Sequence, residues 1–242
     1  MPQALLFDVD GTLADTEGEG HLPAFNQTFA AHDLPLRWSK EQYRRLLAQV
    51  PGGKERILAE LKSNPPPGYS DKALAEYANQ LHQEKGHNYA QILRSGSIQP
   101  RPGVSRLIEQ AHSSGIQLAI VTTSTRESVD ALFQYVLPNQ QRDYFTALVC
   151  GDDVSAKKPA PEAYQIALAQ ISRAATDCIA IEDSANGLIA ANQAAIPTLI
   201  TYNEWTKGDD FSTAWRVVES LDNRGDGEPV TLEWLTGVVS NP

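Results

Sequence analysis

The feature that most constrains this chain is a short apolar run that ends in two acids. Ala4–Phe7 is apolar and leads into Asp8-Val9-Asp10-Gly11-Thr12. In extended chain, carboxylates at i and i+2 share one side, and Gly11 lets the backbone turn tightly behind them. Four more apolar runs of strand length follow, at 118–121, 147–150, 179–181 and 198–200. Helical patterns lie between most of them. One covers 104–114, entered after Pro102-Gly103 and stopped at Gly115; another covers 161–171, with Pro161 at its start; a third, rich in alanine, covers 186–194. This alternation predicts an α/β fold, a central parallel sheet flanked by helices. Ligands of such sheets bind beyond the carboxyl ends of the strands, which is where Asp8 and Asp10 stand.

Between Gly20 and Arg94 the rhythm changes. No strand pattern occurs there, and helices are expected at 22–32, 39–49, 54–63 and 71–93. Ser39 and Gln42 suit a capping box for the second, and Gly52-Gly53 and Pro65-Pro66-Pro67-Gly68 break the segments. The expected organisation is a Rossmann-like core formed by 1–15 and 97–242, with an all-helical domain at 16–96 inserted after the first strand. Beyond Asn203 the pattern is weak, with a loop over 223–228 and a short closing helix over 232–239.

The balance of 20 basic and 30 acidic residues gives a net charge of -10. Such a surface repels nucleic acid and anionic lipid, so neither is expected as a partner. No apolar run approaches the ~20 residues of a membrane span. The strand pattern begins at Ala4 with no basic flank or cleavage pattern before it. A cytoplasmic monomer acting on a small molecule is the expectation, with a plastid protein relieved of its transit peptide left open. Cys150 and Cys178 border apolar runs and have no CxxC or neighbouring histidine, so they read as two buried thiols rather than a disulfide or metal pair.

Two close carboxylates repel unless one takes a proton or a cation joins them. An all-oxygen ligand set favours Mg²⁺, which keeps waters and pairs with phosphate. An EF-hand loop also begins Asp-x-Asp, but its sixth position needs glycine and here is Leu13. No Walker-type loop occurs. A purely structural acidic turn stays open on this segment alone. Three later strand ends add to it. The run 118–121 ends in Thr122-Thr123-Ser124-Thr125; Lys157-Lys158-Pro159 precedes the helix that begins at Pro161; and 179–181 ends in Glu182-Asp183. Each alone has an ordinary structural reading as a helix cap, turn or solvated surface. Together, successive strand ends deliver acid-x-acid, hydroxyl, lysine and acid-acid.

In these four motifs, and in their order and spacing, the chain resembles the haloacid dehalogenase superfamily, along nearly its whole length. The helical block stands where that superfamily carries a cap domain. Thr16-Glu17, His21, Ala24-Phe25-Asn26, Tyr43-Arg44, the stretch 52–57, Arg101-Pro102-Gly103 and Lys157-Lys158-Pro159 resemble the CbbY-like branch, relatives of β-phosphoglucomutase. The resemblance implies a phosphatase that removes a phosphate from xylulose-1,5-bisphosphate, an inhibitor of carbon fixation. Alternatives of the same chemistry are a sugar phosphomutase and a broad sugar-phosphate or phosphoglycolate phosphatase; a non-catalytic sugar-phosphate sensor is the alternative of another class. The resemblance makes Asp8 the nucleophile and Asp10 the general acid and base. Asp8, Glu182, Asp183 and the Asp10 carbonyl would hold Mg²⁺. Thr122 and Lys158 would hold the transferring phosphoryl group, with Lys158 preferred to Lys157 because it directly precedes Pro159. Glu17, His21, Tyr43, Lys54 and Arg56 of the cap, with Thr123, Ser124 and Arg126 of the core, are the candidate substrate contacts. Ser124 and Arg126 are the pair expected at a distal phosphate. Leu22-Pro23 stands where many relatives carry an arginine, so a cation near the cap hinge is expected to be missing.

Overall fold

The structure, a computed structural model, describes residues 1–239. Its strands are β1 Ala4–Phe7, β2 Gln117–Val121, β3 Phe145–Val149, β4 Cys178–Glu182, β5 Thr198–Thr201 and β6 Arg216–Val218. They form one parallel sheet in the order β3-β2-β1-β4-β5-β6. Its helices are α1 Leu22–Ala31, α2 Lys40–Gln49, α3 Gly53–Ser63, α4 Asp71–Arg94, α5 Val104–Ser113, α6 Arg126–Tyr135, α7 Glu162–Ile171, α8 Ala185–Gln193 and α9 Leu232–Val239. A π-helical turn, Glu17–His21, leads into α1. None of the described helices is long and apolar enough to cross a membrane.

Side-chain alternation sorts the sheet into two unequal faces. Leu5, Phe7, Leu118, Ile120, Ile179 and Ile181 point into the larger cluster, with residues of α5, α6 and α9. Ala4, Leu6, Ala119, Ala147, Cys178 and Ala180 point the other way, against Ala163 and Ala167 of α7 and Ala190 and Ala191 of α8. Small residues on both sides of that second interface let the helices lie close to the sheet. Cys150 belongs to the first cluster and Cys178 to the second, so the sheet stands between them. Burial pushes both thiols up to about 12. Since the thiolate is the reactive form, neither should react with iodoacetamide at pH 8 in the folded protein, and both should react once it is unfolded. Mass spectrometry showing fast labelling of native protein would contradict this packing.

Strand direction of travel reverses between β1 and β4. From β1 the chain winds outward through β2 and β3, then returns to β4 and winds the other way through β5 and β6. A crevice opens at the carboxyl ends of β1 and β4, the favoured ligand position in such sheets.

Helices α1 to α4 stand apart from the sheet around a cluster of their own, which includes Phe25, Phe29, Trp38, Tyr43, Ile57, Leu61 and Leu81. Ser39 and Gln42 do form the reciprocal capping box of α2. The 24-residue α4, about 36 Å long by helix rise, belongs to both bodies. Leu74, Ala78 and Leu81 pack in the helical cluster, while Tyr89 and Leu93 pack in the cluster over the sheet. From the other side, Trp205 of the loop after β5 meets the helical cluster, edge-on to Tyr43 with 5.9 Å between centroids.

Candidate active site

Asp8 follows β1, Glu182 ends β4 and Asp183 follows it, so the sheet brings the three acids to one crevice. One carboxylate oxygen from each lies within 4.8 Å of the others. All are buried, at 8%, 0% and 5% exposure. Lys158 Nζ donates to Asp8 Oδ1 at 2.7 Å, to Glu182 Oε1 at 2.5 Å and to the Val121 carbonyl at 2.6 Å. Burial favours neutral Lys158, but Asp8 and Glu182 outweigh it and raise its pKa. The Tyr164 hydroxyl donates to Glu182 Oε1 at 2.6 Å, and Asn203 Nδ2 donates to Asp183 Oδ2 at 2.7 Å.

One lysine does not neutralise three carboxylates. Burial, then repulsion from Glu182, drives Asp8 up to about 8 despite Lys158. Asp183 is likewise raised by burial and by Asp8 and Glu182. Glu182 Oε2 is buried with no hydrogen-bond partner among the described residues. A β-carbon at Gly187 would overlap that carboxylate, so only glycine fits there. Surplus buried negative charge and an orphaned oxygen suit a hard divalent cation with oxygen ligands.

Asp10 has the opposite environment. It accepts from Thr16 Oγ1 at 2.6 Å, from the Ser124 hydroxyl, and from His21 Nε2 at 2.7 Å. Burial opposes its ionisation, but His21 and the hydrogen bonds from His21, Ser124 and Thr16 more than offset it, holding the carboxyl well below its usual range. Behind it, Lys85 Nζ lies 2.6 Å from His21 Nδ1, and the His21 ring stacks on Tyr89 with centroids 4.1 Å apart. Lysine donates to Nδ1, so neutral His21 carries its proton on Nε2, facing Asp10. Two nearby aspartates thus have environments that push their pKa values apart.

These groups lie in or behind one cavity of about 600 Å³ between the sheet and the helical block. Of the residues expected at a site, Asp8, Asp10, Glu17, His21, Arg56, Thr123, Ser124, Lys158 and Asp183 line it. Thr122 sits just behind, 1% exposed, its Oγ1 accepting from the Ser124 amide at 3.0 Å. Glu182 lies beneath the floor. Tyr43 is fully buried and donates to Glu17 Oε2 at 2.6 Å, so it aims Glu17 rather than facing the cavity. Lys54 is exposed, and the structure does not bring it to the cavity. Arg126 also stays outside, paired with Asp153 at 2.7 Å and with the Leu148 carbonyl at 3.0 Å. The structure thus does not bring Arg126 to the cavity, and the Ser124 hydroxyl donates to Asp10.

Sequence reasoning missed Lys85 of α4, whose Nζ reaches His21 Nδ1 at 2.6 Å, next to Leu22-Pro23 where a cation was expected to be missing. Its signal was a charge on an apolar stripe: Leu74, Ala78, Leu81, Lys85 and Tyr89 recur at helical spacing and all are buried. Tyr164 and Asn203 were missed because their partners, Glu182 and Asp183, lie 18 and 20 positions away in sequence.

The model of the haloacid dehalogenase-like hydrolases matches residues 2–195. Protein CbbY of Rhodobacter capsulatus is 46% identical over 216 residues, 89% of this chain and 92% of that protein. A crystal structure of a CbbY mutant from Rhodobacter sphaeroides in complex with xylulose-(1,5)bisphosphate is 36% identical and superposes with a TM-score of 0.82, covering 91% of this chain and 95% of that one. β-Phosphoglucomutase from Clostridium difficile, 20% identical, shares the fold with a TM-score of 0.76, over 99% of this chain and 98% of that one. With its match extending through all four strand-end motifs and its identity to CbbY spanning most of both chains, this protein belongs to the haloacid dehalogenase-like hydrolases and is a relative of the CbbY proteins.

Proposed function

We propose that the chain is a Mg²⁺-dependent phosphatase that removes one phosphate from xylulose-1,5-bisphosphate through an aspartyl phosphate on Asp8. The observation that carries the reading is Asp8 itself, a buried carboxylate with one oxygen on Lys158 Nζ at 2.7 Å, at the wall of a cavity large enough for a small sugar phosphate. The relation to CbbY supports the choice of substrate. The helical block would act as a cap, excluding water while the phosphoryl group is transferred.

In the first half-reaction a carboxylate oxygen of Asp8 attacks phosphorus in line. The bond from phosphorus to the sugar oxygen breaks, its electron pair leaves with that oxygen, and Asp10 supplies the proton. Water then attacks phosphorus in the aspartyl phosphate, Asp10 takes a proton from it, and the bond to Asp8 breaks, freeing inorganic phosphate. Lys158 neutralises the phosphoryl oxygens, and the Thr123 and Ser124 segment borders the same space. The hydrogen bonds now received by Asp10 hold it in the form that accepts a proton. The acid form can be restored when substrate is bound by a relay in which the Lys85 ammonium gives a proton to His21 Nδ1 as the Nε2 proton moves to Asp10. Asp8, Glu182, Asp183 and the Asp10 carbonyl would hold Mg²⁺, whose positive charge offsets the repulsion between Asp8 and the incoming phosphate.

Phosphate release from a panel of esters with Mg²⁺ tests the reading. The panel should include xylulose-1,5-bisphosphate, ribulose-1,5-bisphosphate, phosphoglycolate and hexose monophosphates. Xylulose-1,5-bisphosphate is expected to be preferred, with activity lost in EDTA and restored by Mg²⁺. Comparable rates on ordinary monophosphates would sink the substrate assignment. A rearranged sugar phosphate with no free phosphate would mark a mutase instead.

A further inference from the structure

One short segment of the core holds the acid cluster at one end and the helical cap at the other. It is 203–206, in the loop after β5. Asn203 serves the acids. Its Nδ2 donates to Asp183 Oδ2 at 2.7 Å and to the Gly11 carbonyl at 3.2 Å, and its Oδ1 accepts from the Trp205 amide at 2.8 Å. One amide side chain thus joins the Asp183 carboxylate, the turn behind Asp10 and the backbone of Trp205.

The Trp205 indole serves the cap. It lies edge-on to Tyr43, and the Arg44 guanidinium lies over it, 5.2 Å from the ring centroid. An Arg44 nitrogen also donates to the Glu204 carbonyl at 3.3 Å. The indole reaches the π-helical turn as well: a β-carbon built on Gly18 would lie 2.9 Å from Trp205 Cζ2. Gly18 has no positive φ, so glycine there makes room for the indole rather than for a turn. Gly18 follows Glu17 in the chain, and Tyr43 holds the Glu17 carboxylate. Trp205 therefore touches both groups that fix Glu17 at the cavity wall.

We propose that Trp205 is a positioning residue, carried on a strap of residues 203–206, that couples the cap carboxylate Glu17 to the metal ligand Asp183. The inference rests on the Mg²⁺ reading above and adds the device by which the cap feels the cation. Fixing the Asp183 carboxylate fixes Asn203, then the backbone of Trp205, then the indole against Gly18 and Tyr43. Glu17 is then held most firmly when the cation needed for transfer is in place. Such coupling is reciprocal: the factor by which the cation orders the cap is the factor by which an ordered cap tightens the cation.

The rival account is a plain packing contact, in which Trp205 affects stability and nothing at the acids. Mg²⁺ titrated calorimetrically into the substrate-free protein separates the two. Trp205→Leu is expected to raise the Mg²⁺ Kd by about fivefold or more at unchanged stoichiometry, the lower end of ordinary coupling between sites. Trp205→Phe keeps a ring against Tyr43 and should recover most of that loss. Gly18→Ala reaches the same end from the cap side, since its methyl displaces the indole, and it should weaken Mg²⁺ too. In the double variant leucine leaves room for the methyl, so the two losses should not add. Hydrogen exchange of α2, which carries Tyr43 and Arg44, reads the other direction: Mg²⁺ should slow it in wild type and not in Trp205→Leu. Thermal midpoints identify folded variants, and if Trp205→Leu melts below the assay temperature, Gly18→Ala carries the comparison. Wild-type Mg²⁺ affinity in the folded variants, additive losses in the double variant, or α2 exchange indifferent to Mg²⁺ in wild type would overturn the strap and leave the metal reading intact. A wild type that takes up no Mg²⁺ would remove the metal reading and the strap together.

Discussion

Asp8→Asn should lower phosphate release by roughly 10⁵- to 10⁶-fold, as loss of a covalent nucleophile does, while the protein stays folded. Asparagine has nearly the same shape, so the packing around β1 and β4 has no reason to change. Its amide oxygen can still accept from Lys158, but it cannot attack phosphorus as an anion. The second half of this prediction concerns stability. Asp8 is raised to about 8 by burial and by Glu182, against roughly 4 in an unfolded chain. A carboxyl raised on folding stabilises fully below its unfolded pKa, and that contribution fades as pH climbs towards the folded value. At pH 7 without Mg²⁺, Asp8 therefore works against folding, and the asparagine variant should melt at or above the wild-type temperature. The gap should widen from pH 5 to pH 8. Added Mg²⁺ should raise the wild-type midpoint by more than that of the variant, because only the wild type presents all three acids. A variant that lost activity by melting well below wild type would show that Asp8 is structural, and the nucleophile assignment would lose its support.

The fold was legible where one local pattern decides it. Five runs of apolar residues became β1 to β5, and the four helices expected before Arg94 lie within a residue or so of their places. Strand alternation and capping chemistry act over a few residues, so a single sequence displays them. β6 was not seen because Arg216–Val218 is three residues long and two of them are exposed, which leaves no alternation to detect. Nor was α6 seen: Thr125 caps it by accepting from the Ser128 amide, yet the run of hydroxyls before it reads as a turn. At the site, the acids and Lys158 stood out because each ends a strand or precedes a helix in a fixed order. The polar residues that tune them did not. Lys85 reaches His21 across 64 positions and Asn203 reaches Asp183 across 20. Nothing in a local pattern reports such pairings. The position of Arg126 outside the cavity was hidden for the same reason, since it is paired with Asp153, 27 positions on.

Arg101 illustrates the point at its largest, and its removal should be the most damaging to stability. The side chain is 7% exposed and faces carbonyls rather than the cavity. It donates to Gly11 O at 2.5 Å, Thr201 O at 2.7 Å, Tyr202 O at 2.6 Å and Glu219 O at 3.3 Å, and its Nε lies 3.3 Å from Asp15. One guanidinium thus joins the turn after β1, the end of β5 and the segment after β6. Arg101→Met keeps most of the volume but leaves buried carbonyls without donors, each of which costs about 1–3 kcal/mol. The Gly11 carbonyl retains Asn203 Nδ2 at 3.2 Å, so the penalties are not all paid at once, and a total of about 3–5 kcal/mol is expected. For a chain of this size that is a fall of roughly 6–20 °C in Tm. Arg101→Lys should recover less than half of it, because an ammonium cannot reproduce the planar fork that meets several acceptors together. The folded fraction should also lose activity, since Gly11 sits directly behind Asp10 and a loosened turn moves the acid. Urea or thermal melts of the three proteins decide the matter. Equal midpoints for wild type and Arg101→Met would mean that backbone bonds and Asn203 alone hold the turn on which both catalytic aspartates are mounted.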